Sequence, residues 1–392
     1  MSKSNKEVSL AGILSATLLL NAAAACMWPL TTVYMHDELH QTLTLAGIAL
    51  LGMSLCMILG NWLGGWLFDN WSPFKTGLSG TLISFIPMLL LIFFHGWPIF
   101  GIMLLFIGLG DGIVMTVVNS YAANVQSIGS RRVFNYLYIG MNLGVVVGTL
   151  MVGYLMDHGV TLVFMAASIC YTALLIIFVV DFRMDITTKT HKHAKGPAKP
   201  AQLKLIWMIS ALVFCLYVGY SLWESVISVH MTSLGISFEK YSLLWTLNGI
   251  LIVFGQPLAN RIGTYFKMSS QIGIGTFVFI MSFLMLVFAK TYAMFVVTMI
   301  VLTLGEMTGF PGIPAWIDKL AGDNEKGKFQ GIYNMAISFG RAVGPLYGGL
   351  IIEYGSYHSL FLSVTAVMLV ALAAVMLRNR HNQMRLRKEQ SK

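Results

Sequence analysis

Three features of the sequence predict an all-α membrane protein, with twelve transmembrane helices in two pseudo-symmetric six-helix bundles. Of the 392 residues, 57% are hydrophobic and only 10% charged, where a soluble domain carries about 25% charged residues. Apolar runs of about 20 residues recur along the chain, each long enough to cross a hydrocarbon core of roughly 30 Å. The chain also repeats itself at half its length. Residues 132–159 read RVFNYLYIGMNLGVVVGTLMVGYLMDHG, and a shift of 196 carries them onto residues 328–355, KFQGIYNMAISFGRAVGPLYGGLIIEYG. The shift superposes Gly144 on Gly340, Gly148 on Gly344, Gly153 on Gly349 and Asp157 on Glu353. A shift of 195 puts Leu109-Gly110-Asp111 on Leu304-Gly305-Glu306, an acid on an acid.

The twelve spans are expected at about 9–35, 43–68, 76–94, 98–125, 133–156, 160–182, 204–231, 241–260, 270–289, 292–317, 329–353 and 356–378. The first has no small-residue cleavage pattern and is expected to be a transmembrane helix rather than a signal peptide. Pro29, Pro257, Pro311, Pro314 and Pro345 lie inside spans, where neighbouring helices can satisfy the backbone groups that a proline frees. The stretch 183–203, RMDITTKTHKHAKGPAKPAQL, is polar, basic and contains Pro and Gly. It divides the chain into an N-terminal bundle at 1–182, a flexible cytoplasmic linker at 183–203, a C-terminal bundle at 204–378 and a basic tail at 379–392.

Charge orients the chain. With both termini in the cytoplasm, the inner segments hold 22 of the 25 Lys and Arg, the outer segments hold Lys240 and Lys290, and Arg341 lies within a span. That bias sets topology by the positive-inside rule and implies a multi-pass protein of the cell membrane with cytoplasmic termini. The net charge of +9 therefore reports orientation and contact with anionic lipid headgroups. A nucleic-acid partner is excluded, because the charges sit on short loops and tails rather than on a folded basic face. The four cysteines, Cys26, Cys56, Cys170 and Cys215, fall within spans without a CxxC pair and read as small apolar packing residues. His191 and His193 are solvated linker residues, so no metal is expected, and the absence of a Walker motif argues against ATP-driven chemistry. The sequence implies neither an enzyme nor a cofactor, and a monomer is expected.

Two long apolar halves in parallel are the pattern of a secondary transporter with its site at their interface. Four charged residues lie deep in spans: Asp111 in the fourth, Glu224 in the seventh, Glu306 in the tenth and Arg341 in the eleventh. A charge at the bilayer centre costs about 2.5–3.5 kcal/mol even on lenient scales, so such residues face a bundle interior or a cavity. A carboxyl group escapes the cost by taking up a proton, and a group that titrates as its water exposure changes is what proton coupling needs. Glu306, Glu224 and Asp111 are the coupling candidates; the structural alternative is an acid that a fixed partner neutralises. Arg341 stands where the first half has Val145. It suits a switchable pair with Glu306 or another acid, or bidentate binding of an anionic group.

Trp28, Trp223, Tyr217, Tyr220, Trp245, Phe310, Trp316, Tyr333 and many of the 25 methionines surround these charges in sequence. Aromatic faces hold cations and flat apolar molecules, and Met repacks around varied shapes. The shift of 196 maps Trp28 onto Glu224, so both project from the first helices of their halves. The substrate-binding candidates are Glu224, Trp28, Trp223, Tyr220, Arg341 and Asn142. The run GNWLGGWLFDNWSPFK at 60–75 reads as a close-packing gate. Its candidates are Gly65 and Asp69, with Asp69 capping a neighbouring helix or pairing with Arg131 or Arg132.

These residues carry a family resemblance. Twelve spans, the two-half repeat and the basic middle loop resemble the major facilitator superfamily across the whole chain. Gly65, Leu67 and Asp69 match its loop signature G-x-L-x-D-R-x-G-R-K, while Asn70, Ser72 and Pro73-Phe74 depart from it. Within that superfamily the 12-helix multidrug/proton antiporter branch is the nearer match. LTLGE (302–306) before Pro311 and WESVISVHM (223–231) resemble segments of the lactococcal multidrug antiporter. The resemblance implies proton coupling and cation recognition at Glu306 and Glu224. A third acid of that protein falls on Asn135, and the Gly-Pro motif of drug antiporters is missing from GMNLGVVVG (140–148).

The expected activity is a secondary, proton-coupled antiport that exports amphipathic or cationic small molecules by alternating access, with protons, the small-molecule substrate and membrane lipids as partners. The alternatives are a proton-coupled symporter or exporter of a polar solute such as a sugar or organic anion, and a lipid flippase.

Overall fold

In a computed structural model of the protein, which describes residues 8–123, 125, 130–183, 200–263, 265–321 and 326–390, hydroxyl side chains open the first three helices. Ser9 accepts from the Gly12 N–H at 2.9 Å, Thr42 from Leu45 at 3.1 Å and Ser72 from Lys75 at 3.4 Å, satisfying first-turn donors that a helix leaves open. These helices are α1 (Leu10–Val33), α2 (Leu43–Asn70) and α3 (Pro73–Leu91). They are followed by α4 (Ile99–Ala123), α5 (Ser130–Leu155), α6 (Val160–Asp181), α7 (Pro200–Glu224) and α8 (Val226–Ser233). The remainder are α9 (Phe238–Gly263), α10 (Met268–Leu286), α11 (Tyr292–Gly309), α12 (Gly312–Ala321), α13 (Lys326–Tyr354) and α14 (Tyr357–Gln390).

Among the described residues, twelve helical stretches are long and apolar enough to cross a membrane. The expected seventh and tenth spans are each broken. Ser225 leaves the helical region at φ −126° and ψ −63° and separates α7 from α8, and its hydroxyl donates back to the Ser221 carbonyl at 2.6 Å. Such back-bonding competes with the helical ladder. Between α11 and α12 stands Pro311, which has no N–H to continue the ladder. α1 widens into a π-helical turn at Tyr34–Glu38. α14 runs to Gln390, so most of the expected tail is helix; its Arg, Met, Leu, Lys and Glu are strong helix formers.

The chain forms two compact units, Met1–Thr190 with Ser237–Gly249, and His191–Ile236 with Ile250–Lys392. Within the first, α5 packs on α1 through Gly144, where an added Cβ would stand 2.8 Å from the Asn21 Cβ and 3.1 Å from the Ala22 N. Within the second, α13 packs on α7 through Gly340, where a Cβ would stand 2.9 Å from the Tyr217 Cβ and 3.1 Å from the Val218 N. Asn21 and Ala22 lie 196 positions before Tyr217 and Val218. The glycine pairing read from sequence is therefore the same helix–helix contact made twice, with small residues letting backbones approach. A cluster of rings repeats as well. The Tyr34 ring lies 5.2 Å from that of Phe100 and 6.3 Å from that of Phe164. His230 lies 6.0 Å from Phe295 and 5.5 Å from Phe361.

Candidate functional site

Tyr217, Tyr220 and Glu224 are spaced by three and four residues on α7, so they form one stripe along the helix. Arg341 reaches that stripe from α13. Its Nη2 donates to Glu224 Oε1 at 3.0 Å, and its guanidinium carbon lies 5.6 Å from the Tyr217 ring centroid and 5.5 Å from that of Tyr220. Those distances fall inside cation–π range. The Tyr220 hydroxyl faces the other way and donates to Glu306 Oε1 on α11 at 3.5 Å. Glu306, Tyr220, Arg341 and Glu224 thus form one continuous polar path across three helices.

Aromatic rings support the path. Tyr220 stacks on Phe279 of α10 at 6.5 Å with only 8° between planes. Phe310 lies 4.9 Å from Phe279 and 5.7 Å from Tyr217. Side-chain exposure is 40% for Arg341 and 18% for Glu224, so water weakens their attraction. A partly solvated pair can exchange partners. A cation can replace the guanidinium on Glu224, or an anion can replace Glu224 on Arg341.

Four candidates from the sequence therefore meet in the C-terminal unit. Trp223, also a substrate-binding candidate, sits one position off the stripe and is fully buried, so it packs into the core. Of the remaining substrate candidates, Trp28 on α1 and Asn142 on α5 are half-buried residues of the N-terminal unit. Sequence reasoning passed over Phe279. Its signal was the repeat: Phe279 lies 195 positions beyond Ser84, the residue beside the matching acid.

That acid has different surroundings. Asp111 on α4 is 2% exposed, and its Oδ1 accepts from Ser84 of α3 at 2.7 Å and Tyr171 of α6 at 2.8 Å. Its Oδ2 is buried with no hydrogen-bond partner among the described residues. Asp111 thus ties three helices of the N-terminal unit together. In the glycine-rich run, close approach to α4 falls to Gly64, where a Cβ would stand 2.9 Å from the Ile113 Cα; at Gly65 the nearest atom is an ordinary 3.8 Å away. The side chains of Asp69, Arg131 and Arg132 lie outside the described residues.

Residues 13–223 and 209–392 each match the Major Facilitator Superfamily. An uncharacterized MFS-type transporter, YttB, of Bacillus subtilis (strain 168) is 34% identical over 360 residues, covering 90% of this chain and 91% of that protein. The proton-coupled antiporter flippase LtaA of Staphylococcus epidermidis is 25% identical over 329 residues, 80% of either chain. Among solved structures, the POT family transporter PepTSo superposes with a TM-score of 0.78 over 96% of this chain and 98% of its own, at 14% identity. That likeness concerns the fold alone.

Proposed function

The chain belongs to the Major Facilitator Superfamily of membrane transporters, and from that premise we propose that it is a proton-coupled antiporter exporting amphipathic or cationic small molecules. The observation that carries this reading is the path from Glu306 through Tyr220 and Arg341 to Glu224. It sets two acids, an arginine and two aromatic faces side by side. An incoming organic cation takes the place of Arg341 against Glu224 and the tyrosine rings. The displaced guanidinium carries its charge past Tyr220 towards Glu306, and Glu306 answers by exchanging its proton. Alternating access of the two halves then converts inward proton flow into outward transport. The chain sits in the cell membrane with both termini cytoplasmic, as the distribution of Lys and Arg implies.

A second reading is a lipid flippase. It is favoured by the relative whose name joins proton-coupled antiport to flipping. One assay separates the two. Proteoliposomes with an imposed pH gradient are offered fluorescent organic cations, labelled sugars and headgroup-labelled lipids. Gradient-driven movement of the cations supports the antiporter, movement of lipid alone supports the flippase, and movement of sugar alone overturns both.

A further inference from the structure

On α9, Gly255, Ala259 and Gly263 recur every four residues and so lie on one helical face. Over that face, between α9, α10 and α11, lies a groove of about 350 Å³. Its volume falls in the range of ligand pockets. Leu258, Ile274 and Leu304 line it while remaining 60%, 51% and 47% exposed, so the groove opens sideways from the bundle. Its two polar side chains are engaged by the helices themselves: Gln271 donates to the Thr308 carbonyl at 3.2 Å, and the Thr308 hydroxyl donates to the Leu304 carbonyl at 2.7 Å. A groove with satisfied polar groups and apolar walls suits a hydrocarbon chain.

One end of the groove has a different chemistry. Where α9 turns into α10, Tyr265 is 82% and Phe266 51% exposed. Arg261 in the last turn of α9 and Lys267 at the start of α10 are exposed too. Exposed aromatics mark the headgroup level of a bilayer, and basic groups between transmembrane helices hold anionic headgroups. The geometry points to a phospholipid site outside the Glu306–Glu224 path: one acyl chain occupies the groove, and its anionic phosphate sits with Arg261 and Lys267. The groove wall formed by Leu304, Met307 and Thr308 flanks Glu306 in sequence, so the lipid packs on the segment that carries this acid. The site does not depend on which substrate is transported.

The test uses the full chain in nanodiscs of equal phosphatidylglycerol and phosphatidylcholine, with one or the other lipid carrying a diazirine in its tail. Photolabelled residues are mapped by mass spectrometry. Leu258, Leu304 and Met307 are expected to label roughly thirtyfold more from the phosphatidylglycerol probe, since each of the two basic residues contributes about 1 kcal/mol. Val370 of α14, 70% exposed, should label equally from both. Arg261→Gln with Lys267→Gln should erase the preference, and Ala259→Leu should fill the groove and remove its labelling. The double variant leaves the groove walls unchanged, so it decides the matter even if Ala259→Leu fails to fold. Equal labelling by both probes at the three groove residues would overturn the site.

Discussion

Arg341 and Glu224 meet at 3.0 Å at the point where α7 ends and Ser225 breaks the helix. The arginine is the one departure in charge from the matched segment of the first half, where Val145 stands. Its guanidinium lies against a carboxylate and two tyrosine faces, the place proposed for an organic cation.

Arg341→Gln is therefore expected to tighten binding of tetraphenylphosphonium, by about 1–2 kcal/mol for charges that are partly solvated. Glu224→Gln should weaken it by a similar amount and spare neutral analogues, while the double variant should fall between. Titration calorimetry on the purified variants measures this. Weaker cation binding by Arg341→Gln would show that the arginine holds the site in shape and does not compete for it.

Asp111 should act mainly through its helix contacts. Ser84→Ala and Tyr171→Phe are each expected to lower stability by about 0.5–1.5 kcal/mol, the net value of an ordinary intramolecular hydrogen bond. Asp111→Asn keeps an acceptor oxygen for both hydroxyls and should melt within a few degrees of the parent, whereas Asp111→Leu should melt well below it. Thermal unfolding in detergent checks the order. A variant with unchanged melting but lost coupling would return Asp111 to the proton path.

Much of this was legible in the sequence because membrane helices and repeats leave periodic traces. Gly144 and Gly340, 196 positions apart, make matching contacts because both halves bury the same helix crossing. The acids were visible because few charges enter an apolar span. What the sequence hid were partners. The repeat supplies no counterpart for Arg341, so the expected pair with Glu306 or another acid resolves to Glu224 only where α7 and α13 pack. The repeat also concealed a divergence: Ser84 binds Asp111, while Phe279 at the equivalent place supports Tyr220. The break at Ser225 has no proline to announce it.

The crossing glycines give a direct packing test. Gly340→Val and Gly144→Val should each destabilise by about 1–3 kcal/mol through overpacking, whereas Gly65→Ala, with 3.8 Å of room, should be tolerated. Equal melting temperatures for all three would contradict the close crossings.

Orientation can be read along a single helix. Lys240 stands in the first turn of α9 and Lys267 just beyond its far end, both exposed. In a cysteine-free background, an impermeant maleimide added to intact cells should label a cysteine at 240 and miss one at 267. The reverse pattern would invert the topology.

The most direct measurement is gradient-driven transport by Glu306→Gln in proteoliposomes. The amide keeps an acceptor for the Tyr220 hydroxyl but cannot titrate in this range. The expected result is loss of uphill export under an imposed pH gradient, with cation binding and downhill exchange retained. Undiminished uphill export by the variant would contradict proton coupling through Glu306.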